Sequence, residues 1–179
     1  MYFSQFPLMV YDLKGDKKFK LLPDILRRVK LRAGLSASRF VFDKYNVKEN
    51  ENPEDVAFKY YGDPTYHWVV LMVNNITDRY YQWPMTQPDF EEFLADKYGA
   101  GSEDSVHHYE LAQTSGKTTS IDDSHMLEVN SDTSGATTIT NRQYEERVQN
   151  DIRQIRLLDN KYLDAFTEEF FALIKKNRF

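Results

Sequence analysis

Two dozen residues constrain this chain most. The stretch PEDVAFKYYGDPTYHWVVLMVNNI, residues 53–76, holds two helix starts and two helix stops. Asn52 suits an N-cap, Pro53 has its φ preset for the first helical turn, and Glu54 and Asp55 complement the positive end of the helix dipole. Val56, Ala57 and Tyr60 then share a face, and Gly62 can take the left-handed stop. Asp63 and Pro64 repeat the start at once. Trp68, Leu71, Met72 and Asn75 follow at helical spacing, and Asn74 and Asn75 tolerate the left-handed end. Two short helices therefore meet at a tight Gly-Asp-Pro corner. SRFVFDKYNVK before them alternates well enough for a strand, and ITDRYYQWPM after them, aromatic and stopped by proline, suits a short return strand.

The flanks extend this into an α+β chain of five segments. Residues 1–46 hold an extended apolar arm, MYFSQFPLMVYDL, closed by a turn at Gly15; LLPDILRRVKLR then predicts a short amphipathic helix with Pro23 in its first turn. Residues 47–86 form the strand-helix-helix-strand module. Residues 87–99 are a linking helix with Thr86 or Gln87 as cap, Phe90, Phe93 and Leu94 on one side, and Gly99 as stop. Residues 100–139 turn rich in Ser, Thr, Gly and Asp, an irregular β insert with strand-prone pieces at HHYELAQT, MLEVN and TTIT. In residues 140–179, Thr140 and Gln143 predict a capping box opening a helix at NRQYEERVQND. IRQIRLL fits either a strand or that helix's continuation, and a last helix runs from about Lys161 to Lys176, capped by Asp159 or Asn160.

Composition narrows function. Lys and Arg number 23 against 28 Asp and Glu, a net charge of -5, which leaves no electrostatic footprint for nucleic acid or an anionic bilayer. The longest apolar run, Trp68 to Val73, is far short of the ~20 residues a membrane span needs, so no membrane is expected. There is no cysteine, which excludes disulfides and thiolate zinc sites, and the start lacks a secretory pattern; both fit a reducing compartment. No cofactor or metal is indicated. His107 and His108 are adjacent and should diverge on a strand, and NSDTSG offers Asn141 where a calcium loop needs Glu. The carboxylate pairs Glu91 and Glu92, Asp122 and Asp123, Glu145 and Glu146, and Glu168 and Glu169 read as solvated faces, not as an acid and base. No nucleophile-elbow, P-loop or dinucleotide motif occurs, so an enzyme is not expected.

FKYYGDPTYHWVVLMVNNI resembles the small core of the lysin motif (LysM) family, in which two helices pack on a two-stranded sheet. Over the whole chain four blocks in order, MYFSQFPLMVYDL, DILRRVKLR, ENPEDVAFKYYGDPTYHWVVLMVNNITDRYYQWPMT and YEERVQNDIRQIRLLDNKYLDAFTEEF, are similar to the baseplate wedge subunit fifty-three family of T-even-like contractile-tail bacteriophages. That resemblance implies a structural virion protein, made in the host cytoplasm and repeated sixfold in the tail baseplate. Its implied partners are the wedge's core helical bundle proteins and the sheath-initiating subunit. The LysM resemblance implies the alternative of a peptidoglycan-binding module.

The chain is rich in aromatics, 15% of residues with 12 Tyr and 12 Phe, so many rings must lie partly at a surface. Trp68, opposite Leu71 and Met72, is assigned to the core. Tyr61, Tyr80, Tyr81, Trp83, Phe3, Phe6 and Phe171 are the candidates for protein interaction, since aromatics anchor interfaces.

Overall fold

The computed structural model describes residues 6–31, 40–114 and 121–175. In chain order its elements are β1 (Leu8–Asp12), β2 (Phe19–Pro23), β3 (Phe42–Asn46), α1 (Pro53–Tyr61), a 3₁₀ turn (Pro64–Tyr66), α2 (His67–Val73), α3 (Arg79–Gln82), α4 (Gln87–Tyr98), β4 (Val106–Thr114), β5 (Ile121–Val129), β6 (Thr137–Thr140), α5 (Asn141–Arg153), β7 (Gln154–Leu158), a second 3₁₀ turn (Asn160–Tyr162) and α6 (Leu163–Lys175). This mixture of helices with small antiparallel sheets is the α+β class that the sequence indicates. The chain forms two compact units, Met1–Trp83 with Arg153–Phe179, and Pro84–Ile152, so the second is inserted in the sequence of the first.

In the first unit β1 and β2 pair as a hairpin, Leu8 opposite Pro23 and Asp12 opposite Phe19. Asp12 closes the turn by accepting the N–H groups of Gly15 and Lys17, each at 2.9 Å, while Gly15 supplies the left-handed φ of 68°. The described part of the arm is thus one strand of a hairpin. The amphipathic helix expected from LLPDILRRVKLR is absent among the described residues, a correction with a clear cause. Leu21, Leu22 and Pro23 are held in β2 by pairing with β1, and Asp24 then donates its N–H to Pro7 O at 2.8 Å. Residues 28–31 have no regular structure.

The corner at Gly62 forms where its punctuation places it. The Asp55 carboxylate accepts the Asn52 N–H at 3.0 Å, Gly62 stands at φ 80° with its N–H on Phe58 O, and Asp63 accepts the Thr65 N–H at 2.8 Å. Asn75 takes the left-handed φ of 55°. Asn74 does more than end α2. Its Nδ2 donates to Val70 O and Arg156 O, and its Oδ1 accepts the Arg156 N–H, all at 2.8 Å. The amide side chain thereby pairs with the backbone of β7 as a neighbouring strand would.

The return strand expected within ITDRYYQWPM is not there: residues 79–82 are α3. β3 pairs instead with β7, Phe42 opposite Leu158 and Asn46 opposite Gln154, and Val47 N–H to Arg153 O at 2.9 Å extends the ladder. Strand, helix, helix and strand are therefore assembled from residues on both sides of the inserted unit. Val56, Ala57, Val69, Val70 and Leu157 are fully buried in this unit, and Trp68 lies 4.5 Å from Phe170 between ring centroids. α6 supplies Phe170 and Ile174 to the same cluster.

The inserted unit contains α4, a three-stranded antiparallel sheet in the order β5-β4-β6, and α5 through Ile152. Thr86 caps α4 and Gly99 ends it, its N–H on Ala95 O at 2.9 Å. Thr140 and Gln143 make the reciprocal capping box, at 3.0 and 3.2 Å. NSDTSG is a turn, with Thr133 N–H on Asn130 O and Ala136 N–H on Thr133 O. α5 buries a polar stripe, Asn141, Glu145 and Gln149, spaced four apart. Each member is satisfied: Asn141 donates to Ser102 O at 2.8 Å, Glu145 accepts from Lys97 and Tyr98, and Gln149 accepts the Met85 N–H at 3.0 Å.

Candidate functional site

One outward-facing feature of the first unit is the four-residue helix α3, Arg79–Gln82. Asp78 accepts the Tyr80 N–H at 2.9 Å and so starts α3. Gln82, at the helix's other end, folds its side-chain oxygen back onto the N–H groups of Thr77 and Asp78 at 2.7 and 2.9 Å. Arg79 donates to Asn52 Oδ1 at 2.7 Å and lies 3.6 Å from Glu54, beside the start of α1. With its ends and its first residue bound, this single turn presents Tyr80 and Tyr81 to solvent, 84% and 64% exposed. Two rings held on a fixed base offer contact area without the ordering cost of a flexible loop.

Trp83 is placed differently from the sequence expectation. It is 4% exposed, packed among Val47, Val56, Val70 and Leu157, and its indole N–H donates to Glu51 O at 2.8 Å. It belongs to the core and anchors α3 from beneath. Beside it the Glu51 carboxylate, also buried, accepts from the Tyr45 hydroxyl at 2.9 Å, from the Lys48 N–H at 2.8 Å and from Lys59. Burial alone would raise the Glu51 carboxyl, but the Lys59, Lys48 and Tyr45 bonds outweigh it and hold it below the usual range. Burial, and then the Glu51 carboxylate, push the Tyr45 hydroxyl up to about 12. Sequence reasoning missed Glu51, because its partners come from three different segments.

The remaining predicted residues scatter. Phe6 is buried in the core, a correction, because its ring packs in the same cluster as Trp68 and Leu158. Tyr61 is half-buried, donates its hydroxyl to Leu158 O at 3.1 Å and meets Tyr60 and Tyr66 edge-on, and burial raises its hydroxyl. Phe171 is half-buried 6.0 Å from Trp68. Phe3 lies outside the described residues. Of the six that lie among the described residues, Tyr80 and Tyr81 are thus the two that the structure brings together at a surface.

The inserted unit holds charged groups that the sequence assigned to solvent. Glu145 is 3% exposed and takes Lys97 and the Tyr98 hydroxyl at 2.6 Å each; Glu91 forms a two-pronged pair with Arg142 at 2.7 and 2.8 Å. Buried Glu110 is paired with Arg147 through both oxygens and accepts from His108 Nε2 at 2.8 Å. The Arg147 bonds, against burial and with help from His108, hold the Glu110 carboxyl below its ordinary range. His107 and His108 do not diverge: their Nδ1 atoms lie 2.7 Å apart, because the β4–β6 register shifts between Val106 and His108 and a bulge re-aims one ring. His107 also stacks on Tyr144 at 4.1 Å. Among the described residues no group of three His, Asp or Glu side chains is placed to hold a metal ion. No helix among them is long and apolar enough to cross a membrane.

Set beside known proteins, residues 19–159 match the family described as base plate wedge protein 53. A baseplate wedge protein gp53 of Enterobacteria phage T4 is 30% identical over 112 residues, a match covering 60% of this chain and 57% of that relative. The family match takes in β2 through β7, hence both units, and spans well over half of the sequence. The chain belongs to the base plate wedge protein 53 family.

Proposed function

We propose that this chain is a structural subunit of a contractile phage-tail baseplate, part of the virion, which joins neighbouring wedge proteins as the baseplate assembles and makes or breaks no covalent bond. The observation that carries this reading is the family match over residues 19–159. The geometry supports it through Tyr80 and Tyr81, two exposed rings on a turn whose own side chains fix its position. The proposed partners are the core helical bundle proteins of the wedge and the sheath-initiating subunit, repeated sixfold around the hub.

The double variant Tyr80→Ala/Tyr81→Ala tests it. Both side chains are largely exposed, so the far-UV spectrum and melting of the purified chain stay as in the wild type. Copurification with other wedge proteins should fall at least about tenfold, the scale of losing one interface anchor. Unchanged copurification would remove α3 from the joining surface, and failure of the wild-type chain to enter purified tails would end the wedge reading. A second reading, a LysM-type peptidoglycan-binding module, takes its support from the order β3, α1, α2 and β7 on a two-stranded sheet. Sedimentation with purified sacculi separates the two: the chain should stay in the supernatant, and pelleting with the cell wall would favour the glycan reading.

A further inference from the structure

We infer that the groove between residues 27–31 and helix α2 is a docking site for an acidic peptide segment of a partner protein. The segment seats a large apolar side chain in the groove and its carboxylates on Arg28 and Lys30. The inference rests on the wedge reading in taking the partner to be another tail protein.

The groove has a volume of about 440 Å³, enough for a bulky side chain with its neighbours. Its floor is apolar, formed by Trp68, Leu71, Met72 and Ile76. Among the described residues its charged lining is all of one sign: Arg27, Arg28 and Lys30, with His67 beside them and no carboxylate. Arg27 is committed to the fold through Asp24 at 2.8 Å and Ile174 O at 3.2 Å. Arg28 donates to a neutral group, Asn75 Oδ1 at 3.2 Å, and neither it nor Lys30 has an ion-pair partner among the described residues. Both are exposed. Cations of one sign above an apolar floor select a ligand that is acidic and apolar together, in a chain whose net charge is otherwise negative.

The backbone points to a peptide over a small anion. Residues 28–31 make no backbone hydrogen bond with the described chain, so their N–H and C=O groups can pair with the main chain of an incoming segment. The charge pattern also fixes the side. A second groove of about 230 Å³, between residues 29–31 and α6, is lined by Glu169 as well as Lys30, and its mixed charge does not favour an acidic ligand.

A benzophenone amino acid in place of Ile76, at the floor of the groove, provides the test in the full chain assembled into tails. Irradiation and peptide mapping should give a crosslink to a tail-protein segment carrying at least two Asp or Glu residues around an apolar one. A synthetic peptide of that segment should bind the purified chain, and Arg28→Glu with Lys30→Glu should weaken it at least about tenfold. The charge-matched pair Lys14→Glu with Lys18→Glu, in the β1–β2 turn, should weaken it less than about twofold. A crosslink to a second copy of this chain, a crosslink to a neutral or basic segment, or equal weakening by both pairs would overturn the inference. Incorporation into tails without a crosslink would overturn it and leave the wedge reading standing, whereas absence of the chain from tails would overturn both.

Discussion

Replacing Trp83 with alanine separates its placement in the core from the interface role that its sequence suggests. The side chain is 4% exposed and is the largest member of the cluster formed with Val47, Val56, Ala57, Val70, Ile155 and Leu157. Truncating a buried Trp costs about 3–5 kcal/mol through lost burial and the cavity left behind. It also leaves Glu51 O without its 2.8 Å donor, which adds about 1–3 kcal/mol if no water enters. Against a domain stability of about 5–15 kcal/mol, this is a large fraction. With a urea slope near about 2 kcal/mol/M, the lower estimate alone moves the unfolding midpoint by about 1.5 M. Trp83→Phe shrinks the first contribution without removing it, since a phenyl ring is smaller than indole, and removes the N–H entirely; its cost should exceed that of the stranded carbonyl, about 1–3 kcal/mol, and stay below that of Trp83→Ala. Both tryptophans lie in the first unit, so in Trp83→Phe the fluorescence of Trp68 reports the unfolding of that unit directly. A shift below about 1 kcal/mol in Trp83→Ala, with partner binding lost, would refute the core placement and restore the interface role.

Two other perturbations probe the buried charges. The Glu51 carboxyl titrates below its ordinary value in the folded chain, so its contribution is present above the unfolded value of about 4.5 and is lost as pH falls through the folded value. The stability gap between the wild type and Glu51→Gln, measured by urea unfolding, should therefore narrow below about pH 4.5, and a gap constant across that range would refute the network's role. In the inserted unit, Arg147→Ala leaves the Glu110 carboxylate, whose side chain is 10% exposed, with His108 as its remaining side-chain partner among the described residues. Because the Arg147 side chain is 48% exposed, the cost is discounted to about 1–2 kcal/mol. Adding Glu110→Gln should recover part of the loss in thermal melting, and an additive further loss would show that the charge was not the cause.

What the sequence determined by itself is its local punctuation. The Asn52-Pro53 and Asp63-Pro64 starts, the Gly62 and Asn75 stops, the Thr86 cap and the Thr140–Gln143 box all use hydrogen bonds or φ values set within about four residues, so neighbours in the chain suffice to specify them. Tertiary structure decided what depends on distant partners. ITDRYYQWPM has the residues of a strand, yet β7, from beyond the inserted unit, takes the place beside β3 and leaves residues 79–82 to the local bracket of Asp78 and Gln82, which makes them helix. The same displacement sends Trp83 inward, because its indole finds Glu51 O, and leaves Tyr80 and Tyr81 outside. α5 is legible as a helix, but its buried face is polar, and a reading based on apolar periodicity assigns Glu145 to solvent. Only the approach of Lys97 and Tyr98 from α4 makes that burial affordable, as only the bulge in β4 turns His107 toward His108. Short-range bonds are written in the order of residues; pairing across an inserted unit is settled by which surfaces meet when the chain closes.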